Sequence, residues 1–279
     1  NAMISVTHAF TPTVLNETRL GYSRTALRSE QQNINNNLNR QVGLPSPWTN
    51  ARDNGLTFIS LTGFSPIGDE YNNPQRGVTN TYQFIDQLSW NRARHLFKAG
   101  VDIRKLEQNA FRDVQSRGLI NFLGQTGNSL AEMLIGLVSV SGLATVDNPQ
   151  YLRSESYNFY LHDAWRVTPK LVLNLGARYE YNTPGVDKFN RANVYNTATG
   201  NLAAVGVNGF PSAGYSPDRN NIAPRIGLAY SLTQKTVLRA GYGMFYDQGS
   251  LAPNEGLYFS APYYTFRLFF SLPAIPPVL

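Results

Sequence analysis

The sequence predicts an all-β protein, and three observations support this fold class. Apolar and polar residues alternate along about eight segments, which places apolar side chains on one strand face and polar side chains on the other. The segments are longer than strands of ordinary globular sheets, and short turns between them alternate with long loops. Together these features predict an antiparallel transmembrane β-barrel segment of about 8–12 strands.

The clearest alternation runs over residues 171–183, LVLNLGARYEYNT. Its odd positions are apolar or aromatic from Leu171 to Tyr181, and its even positions from Asn174 onward are polar or glycine. The same pattern recurs at 4–10, 14–23, 97–104, 222–233 and 236–247. It is weaker at 78–90 and 154–167, where Asp86 and Asp163 fall on the apolar face and suggest a bulge or an interfacial position.

The connections between the segments alternate in length. Tight turns at 11–13, 91–94, 168–170 and 234–235 join the strands into four hairpins. Long links rich in Asn, Gly, Pro and Ser follow at 24–77, 108–153 and 184–221, and further extended pieces are expected at 56–64, 137–146 and 257–272. The apolar stretch 129–144 contains Glu132 and two glycines, so it predicts a short helix followed by an extended segment and not a spanning helix.

Strand length and aromatic positions both indicate a bilayer. Strands of about 12–13 residues span about 40 Å, or about 30 Å of bilayer when tilted by ~40°. Trp90 and Trp165 lie beside short turns, whereas Tyr22, Tyr181 and Tyr246 lie at the far strand ends, as expected for two interfacial belts. The alternative is that these aromatic residues form the core of a soluble β-sandwich.

Charged side chains share the polar face of the predicted strands. Inside a barrel they would line the lumen, where arginine outnumbers acid. They either form a hydrogen-bonded wall without a substrate role or favour anionic or polyhydroxylated solutes. The predicted lumen-lining residues are Glu17, Arg19, Asp102, Arg104, Arg166, Arg178, Glu180, Arg225, Arg239 and Asp247.

The sequence offers no recognisable catalytic chemistry. The chain has no cysteine, its three histidines are far apart, and no GxSxG, HExxH or P-loop motif is present. We therefore expect no enzymatic activity, no metal and no cofactor. Asp53, Asp69 and Glu70 are either a calcium site or, more simply, solvated loop acids.

The charge of the chain suggests its surroundings. The net charge is +6, but basic residues are spread singly along the strands, so we expect no nucleic-acid partner. Outer-membrane lipid and lipopolysaccharide are the expected partners of the positive loops.

Several long segments resemble a known family. Residues 163–181, DAWRVTPKLVLNLGARYEY, resemble the strand–turn–strand unit of TonB-dependent outer-membrane receptors. The segments DRNNIAPRIGLAY (218–230), TVLRAGYGMFYD (236–247) and YQFIDQLSWNRARHLFKAGVDIR (82–104) resemble the Oar-like branch, whose members carry a carboxypeptidase-regulatory-like domain, a plug and a barrel. The resemblance extends over about residues 14–247.

The resemblance implies a barrel of about 22 strands in the outer membrane of a Gram-negative bacterium. This chain has about half that number and shows neither a plug-like segment nor a TonB box. We therefore expect residues 1–279 to be part of a barrel domain, with the plug and the N-terminal regulatory-like domain absent.

The implied function is ligand-gated import of a bulky solute such as a glycan or peptide, driven by the TonB system through the plug. The long loops would bind the solute, and the aromatic candidates in them are Trp48, Tyr71, Tyr151, Tyr195 and Tyr215. The sequence leaves two alternatives open: a passive porin or surface scaffold, and a soluble carbohydrate-binding β-sandwich. The solute itself is not identified by any motif.

Overall fold

Strands dominate the computed structural model, which describes residues 1–46, 50–247 and 259–271. The described residues contain two short α-helices, α1 (Leu38–Gln41) and α2 (Ser129–Ile135), and one 3-10 helix at Ala51–Asp53. The strands are β1 (Ala2–Thr11), β2 (Val14–Ser29), β3 (Phe58–Leu61), β4 (Gln75–Arg92), β5 (His95–Arg112), β6 (Leu119–Phe122), β7 (Val140–Val146), β8 (Gln150–Thr168), β9 (Leu171–Asn182), β10 (Val186–Asp187), β11 (Asn193–Asn196), β12 (Asn201–Ala204), β13 (Ile222–Ser231), β14 (Val237–Gly243) and β15 (Tyr264–Phe270).

Eight long strands form one antiparallel sheet in the order β1-β2-β4-β5-β8-β9-β13-β14. The sheet consists of the four predicted hairpins, each closed by its short turn, with β10 added beside β8. The predicted all-β, antiparallel fold class is confirmed. The sheet is not closed into a barrel, since within the described ranges β1 and β14 are its free edges.

The central strands are longer than the sequence pattern predicts. β4 and β5 have 18 residues each and β8 has 19, against a predicted 12–13. At ~3.3 Å per residue such strands extend to about 60 Å, which exceeds the thickness of a bilayer even when they are tilted. They therefore continue beyond the membrane on the side of the long loops.

The apolar face of the main sheet has no second protein layer against it in the described part of the chain. Ile4, Leu161 and Ile226 on this face are 66%, 60% and 55% exposed. Buried apolar side chains occur instead mainly in the loop region, for example Leu61, Phe122 and Val205. This arrangement is opposite to that of a soluble β-sandwich, in which the apolar faces of two sheets pack together.

Asp86 and Asp163 lie on the apolar face, and each has its own polar partner. Asp163 Oδ2 lies 2.7 Å from His95 Nδ1. Asp86 accepts hydrogen bonds from Thr18 Oγ1 at 2.5 Å and from Asn16 Nδ2 at 3.1 Å. Neither acid sits at a bulge, because the register is continuous at both positions. Local pairing, and not a bulge, accounts for a carboxylate on this face.

The long loops form a layer of their own at one end of the main sheet. A second sheet in the order β15-β7-β6-β3 joins the first two long loops and the C-terminal segment, and β3 and β6 pair in parallel. Helix α2 precedes β7, as predicted for residues 129–144. The extended pieces expected at 56–64 and 137–146 correspond to β3 and β7. The piece at 257–272 corresponds to β15, although residues 257, 258 and 272 lie outside the described ranges.

Glu132 explains how a charged residue fits the apolar stretch of α2. Its side chain is fully buried. The carboxylate accepts hydrogen bonds from the backbone N–H of Thr126 at 2.7 Å and from that of Gly124 at 2.9 Å. These hydrogen bonds lower the pKa of Glu132 because they favour the ionised carboxylate. Among the described residues, no helix is both long enough and apolar enough to cross a membrane.

Substitution of two leucines tests which face of the main sheet contacts lipid. Leu161→Arg places a charge in the middle of the apolar face, and we expect a loss of roughly 2–4 kcal/mol of stability in bilayers. Leu96 lies on the polar face by register, so Leu96→Arg is the matched control and is expected to be mild. Urea unfolding of the full-length protein in lipid vesicles measures both. Equal losses for the two variants would contradict the assignment of faces.

Candidate functional site

The strand register places nine of the ten predicted lumen-lining residues on the polar face of the main sheet. Residues that pair across neighbouring strands lie on the same face of the sheet. Such pairs on the polar face are Asp102 with Asn158, Asn158 with Glu180, and Gly176 with Arg225. Asp247 is the exception, because β14 ends at Gly243 and Asp247 lies beyond it. Since the sheet is open, the lining of a lumen by the other nine remains a prediction.

The carboxylates of the polar face are neutralised locally. Residues two apart on a strand share a face, so each acid meets the arginine two positions along its own strand. Asp102 also accepts a hydrogen bond from Gln83 Nε2 at 2.9 Å. The ion pairs join Glu17 with Arg19 at 2.7 Å, Asp102 with Arg104 at 2.6 Å, and Glu180 with Arg178 at 2.7 Å.

Unpaired cations dominate the half of the polar face that is nearer the short turns. Lys98, Arg166, Arg225 and Arg239 have no carboxylate within 4 Å among the described residues. No acid of the eight long strands lies on this face between the row of Glu17 and the turns. This half of the face therefore carries a positive potential.

A cavity of about 350 Å³ lies at the opposite end of the polar face, beside the loop layer. Three guanidinium groups lie in its lining. They belong to Arg28, which pairs with Glu30, to Arg76, and to Arg112, which donates to Asn72 Oδ1 at 3.1 Å. Amides both donate and accept hydrogen bonds, which suits hydroxyl and peptide groups. The sequence shows no motif here, because the polar lining comes from the ends of four strands: Arg28, Ser29, Gln75, Arg76, Gln108, Arg112 and Gln150.

Four of the five predicted interfacial aromatics lie on the apolar face at two levels. Trp90 packs on Phe97 with ring centres 5.6 Å apart, and Trp165 stacks on His95 at 5.3 Å. At the other level, Tyr22 contacts Tyr82 at 5.2 Å, and Tyr181 contacts Tyr157 at 6.2 Å. Tyr82 and Tyr157, which the sequence analysis did not single out, thus extend the tyrosine level.

The spacing of the two levels fits an apolar band. Along β4, Trp90 and Tyr82 are eight residues apart, and along β8 so are Trp165 and Tyr157. Eight residues correspond to about 26 Å along a strand. Tyr246 does not belong to either level as a strand residue, because it follows β14. Its hydroxyl donates to the carbonyl oxygen of Ile222 at 3.3 Å.

The loop aromatics do not converge on one obvious site. Tyr71 packs edge-on against Phe58 at 5.6 Å, and Tyr151 against Phe189 at 5.1 Å. Tyr195 is an exposed residue of β11, and Tyr215 lines a separate cavity of about 360 Å³. Trp48 lies outside the described residues. Solute binding by these residues stays a prediction.

Comparison with known proteins agrees with this two-faced sheet. A family model described as "Outer membrane beta barrel domain" matches residues 1–274. The chain belongs to this family. The outer membrane is accordingly the location of this barrel domain.

The other comparisons are weaker. No curated protein matches the chain. One solved structure, titled "Copper transporter OprC", matches with a TM-score of 0.43 and 12% identity, over 88% of this chain and 30% of that one. The chain therefore spans about a third of the length of that neighbour.

Two of the three loop acids, Asp53 and Asp69, are buried, so their interpretation as solvated acids is wrong, whereas Glu70 is exposed. Asp69 is only 3% exposed and accepts the backbone N–H of Leu56 at 2.7 Å and hydrogen bonds from Asn33. The side chain of Asp53 is likewise buried, near Arg52. Among the described residues, no group of three or more acids and histidines is arranged to hold a metal ion.

Asp113 belongs to the same buried cluster. The Arg52 guanidinium donates to both of its carboxylate oxygens, at 2.7 Å and 3.3 Å, and lies over the ring of Phe111. Burial, together with the neighbouring Asp53 carboxylate, raises the pKa of Asp113 to about 7, and Arg52 offsets only part of this effect. The folded loop layer therefore binds a proton that the unfolded loop releases.

This proton makes the stability of the loop layer depend on pH. The pKa of Asp113 is higher in the folded protein than in the unfolded chain. Its contribution to the stability of the loop layer is therefore complete below about pH 4 and is lost as the pH rises to about 7. Hydrogen exchange of amides 113–118 in the full-length protein, corrected for intrinsic rates, should show falling protection between pH 5 and pH 8. Asp113→Asn should remove this dependence, whereas Asp218→Asn, at an exposed loop acid, should keep it. Unchanged dependence in Asp113→Asn would contradict the assignment.

Proposed function

We propose that this barrel domain is the barrel portion of a TonB-dependent, ligand-gated importer of a bulky solute such as a glycan or peptide. The observation that carries the proposal is the cavity at the loop end of a polar face, which is lined by three amides and three guanidinium groups. A solute entering between the loops would meet this cavity first and the charged part of the face afterwards. The outer-membrane location of the domain supports this direction of movement.

The chemistry of the loop-end cavity favours a solute with many hydrogen-bonding groups. Gln75, Gln108 and Gln150 each present a donor and an acceptor, and three guanidinium groups add further donors. These belong to Arg28, Arg76 and Arg112. A volume of about 350 Å³ suits a few sugar rings or residues of a larger molecule. Sugar hydroxyls and peptide groups satisfy such a lining better than a bare cation does.

The energy source in this proposal rests on the resemblance of residues 163–181 and of the related segments to TonB-dependent receptors. A plug inside the closed barrel would block the lumen, and force from TonB would move it. A passive porin or surface scaffold would share the same strands, so the requirement for energy distinguishes the two functions.

Uptake by cells tests the energy requirement. Cells that produce the full-length protein should accumulate labelled oligosaccharides or oligopeptides of four to six units only when TonB is functional. Loss of TonB should reduce uptake to the level of cells that lack the protein. Uptake that persists without TonB would support the passive porin and contradict the proposal.

Two amide substitutions test the loop-end cavity itself. Gln108→Ala and Gln150→Ala each remove a donor and an acceptor, and we expect the concentration for half-maximal uptake to rise about fivefold for each. Gln83→Ala is the matched control, because Gln83 lies on the same face but donates to Asp102 outside this cavity. An equal effect of all three substitutions would remove the cavity from the binding site.

A further inference from the structure

A second cavity, of about 330 Å³, opens on the polar face nearer the short turns. Among the described residues, its lining contains four basic residues and no acid. Two further polar groups, a phenol and an amide, complete the lining. These residues are Lys98, His162, Arg178, Arg225, Tyr160 and Gln87, and we call this cavity the basic pocket.

The register brings the basic residues together from four neighbouring strands. Lys98 on β5 is opposite His162 on β8, His162 is opposite Gly176 on β9, and Gly176 is opposite Arg225 on β13. Arg178 follows two positions after Gly176 on the same face. The pocket is therefore a feature of the paired sheet and not of any single segment.

Two glycines make room for side chains that line the pocket. A Cβ atom at Gly100 would lie 2.7 Å from the ring of Tyr160, and one at Gly176 would lie 3.3 Å from His162 Nδ1. Because position 100 has no side chain, the ring of Tyr160 can lie across Gly100. The Tyr160 hydroxyl donates to Gln87 Oε1 at 2.6 Å. The rim of the pocket is thus held in place before any ligand binds.

The charges in the basic pocket are not balanced by the protein. Arg178 is paired with Glu180 at 2.7 Å, and the guanidinium of Arg225 lies over the ring of Phe245 at 4.6 Å. Lys98 and Arg225 have no carboxylate within 4 Å in the described ranges. Two uncompensated cations beside a histidine, in a concave site, attract a negatively charged group.

We infer that the basic pocket binds an oxyanion, a phosphate or carboxylate group, carried by a solute. The inference rests on the proposed function only in that the group belongs to the imported solute. A guanidinium and an ammonium offer several donors to the oxygens of one such group. The basic pocket would then bind the acidic group of the solute, and the loop-end cavity would bind its hydroxyl or amide groups.

Calorimetric titration of the full-length protein in detergent micelles at low salt tests the inference, with inorganic phosphate and citrate as probes. Arg225→Gln and Lys98→Gln should each weaken binding about tenfold, since each removes a charge-assisted contact. Arg239→Gln is the matched control, because it removes an unpaired cation from the same face outside the pocket. It should leave binding unchanged.

A variant that leaves the charge unchanged distinguishes binding in the pocket from general attraction of anions by the positive potential of the polar face. Gly176→Val fills the space next to His162 without altering charge, and we expect it to weaken binding as strongly as Arg225→Gln does. Binding of phosphate alone or of citrate alone supports the inference and identifies the class of oxyanion. Binding of neither, or an equal effect of Arg239→Gln, would overturn it.

The inference and the proposed function fail in different ways. Oxyanion binding that follows the pocket variants, in a protein without TonB-dependent uptake, would contradict the importer and leave the pocket established. TonB-dependent uptake in a protein that binds neither probe would contradict the pocket and leave the importer in place.

Discussion

The backbone register between neighbouring strands is the constraint on which the rest of the structure depends. Lipid offers no hydrogen-bond partners to a peptide group, so each strand inside a bilayer must pair with its neighbours. Because side chains alternate with a period of two, each pairing also decides which residues face outward. For example, Phe97 pairs with Asp163, and Asp163 pairs with Leu175. These three residues of neighbouring strands therefore lie on the same face of the sheet.

The two faces treat charge in opposite ways, for a physical reason. On the apolar face, Asp86 and Asp163 each have a polar partner within 3.1 Å, since hydrocarbon cannot solvate a carboxylate. On the polar face, Lys98 and Arg225 remain without an acid, because water or a solute can reach them. Unpaired charge is therefore tolerated only where a ligand or solvent can neutralise it, and this asymmetry marks the face that can interact with a solute.

The sequence predicts the local architecture well and the long-range arrangement poorly. Alternation over residues 171–183 correctly predicts a strand and its two faces, and the tight turns predict the four hairpins. Strand length is underestimated because alternation fades beyond the bilayer, where residues such as Arg24 and Lys105 are polar on the otherwise apolar face. The parallel pairing of β3 with β6 and the basic pocket depend on contacts between distant segments, which no local pattern shows.

The central claim is that the apolar face contacts hydrocarbon and the polar face contacts water. Because the chain has no cysteine, single cysteines can be introduced and spin-labelled one at a time at positions 158–165 of β8. In vesicles containing the full-length protein, the account predicts that labels at odd positions collide with oxygen dissolved in lipid. Labels at even positions should instead collide with a water-soluble nickel chelate. Odd positions shielded from both reagents, as under a second protein layer, would contradict the account.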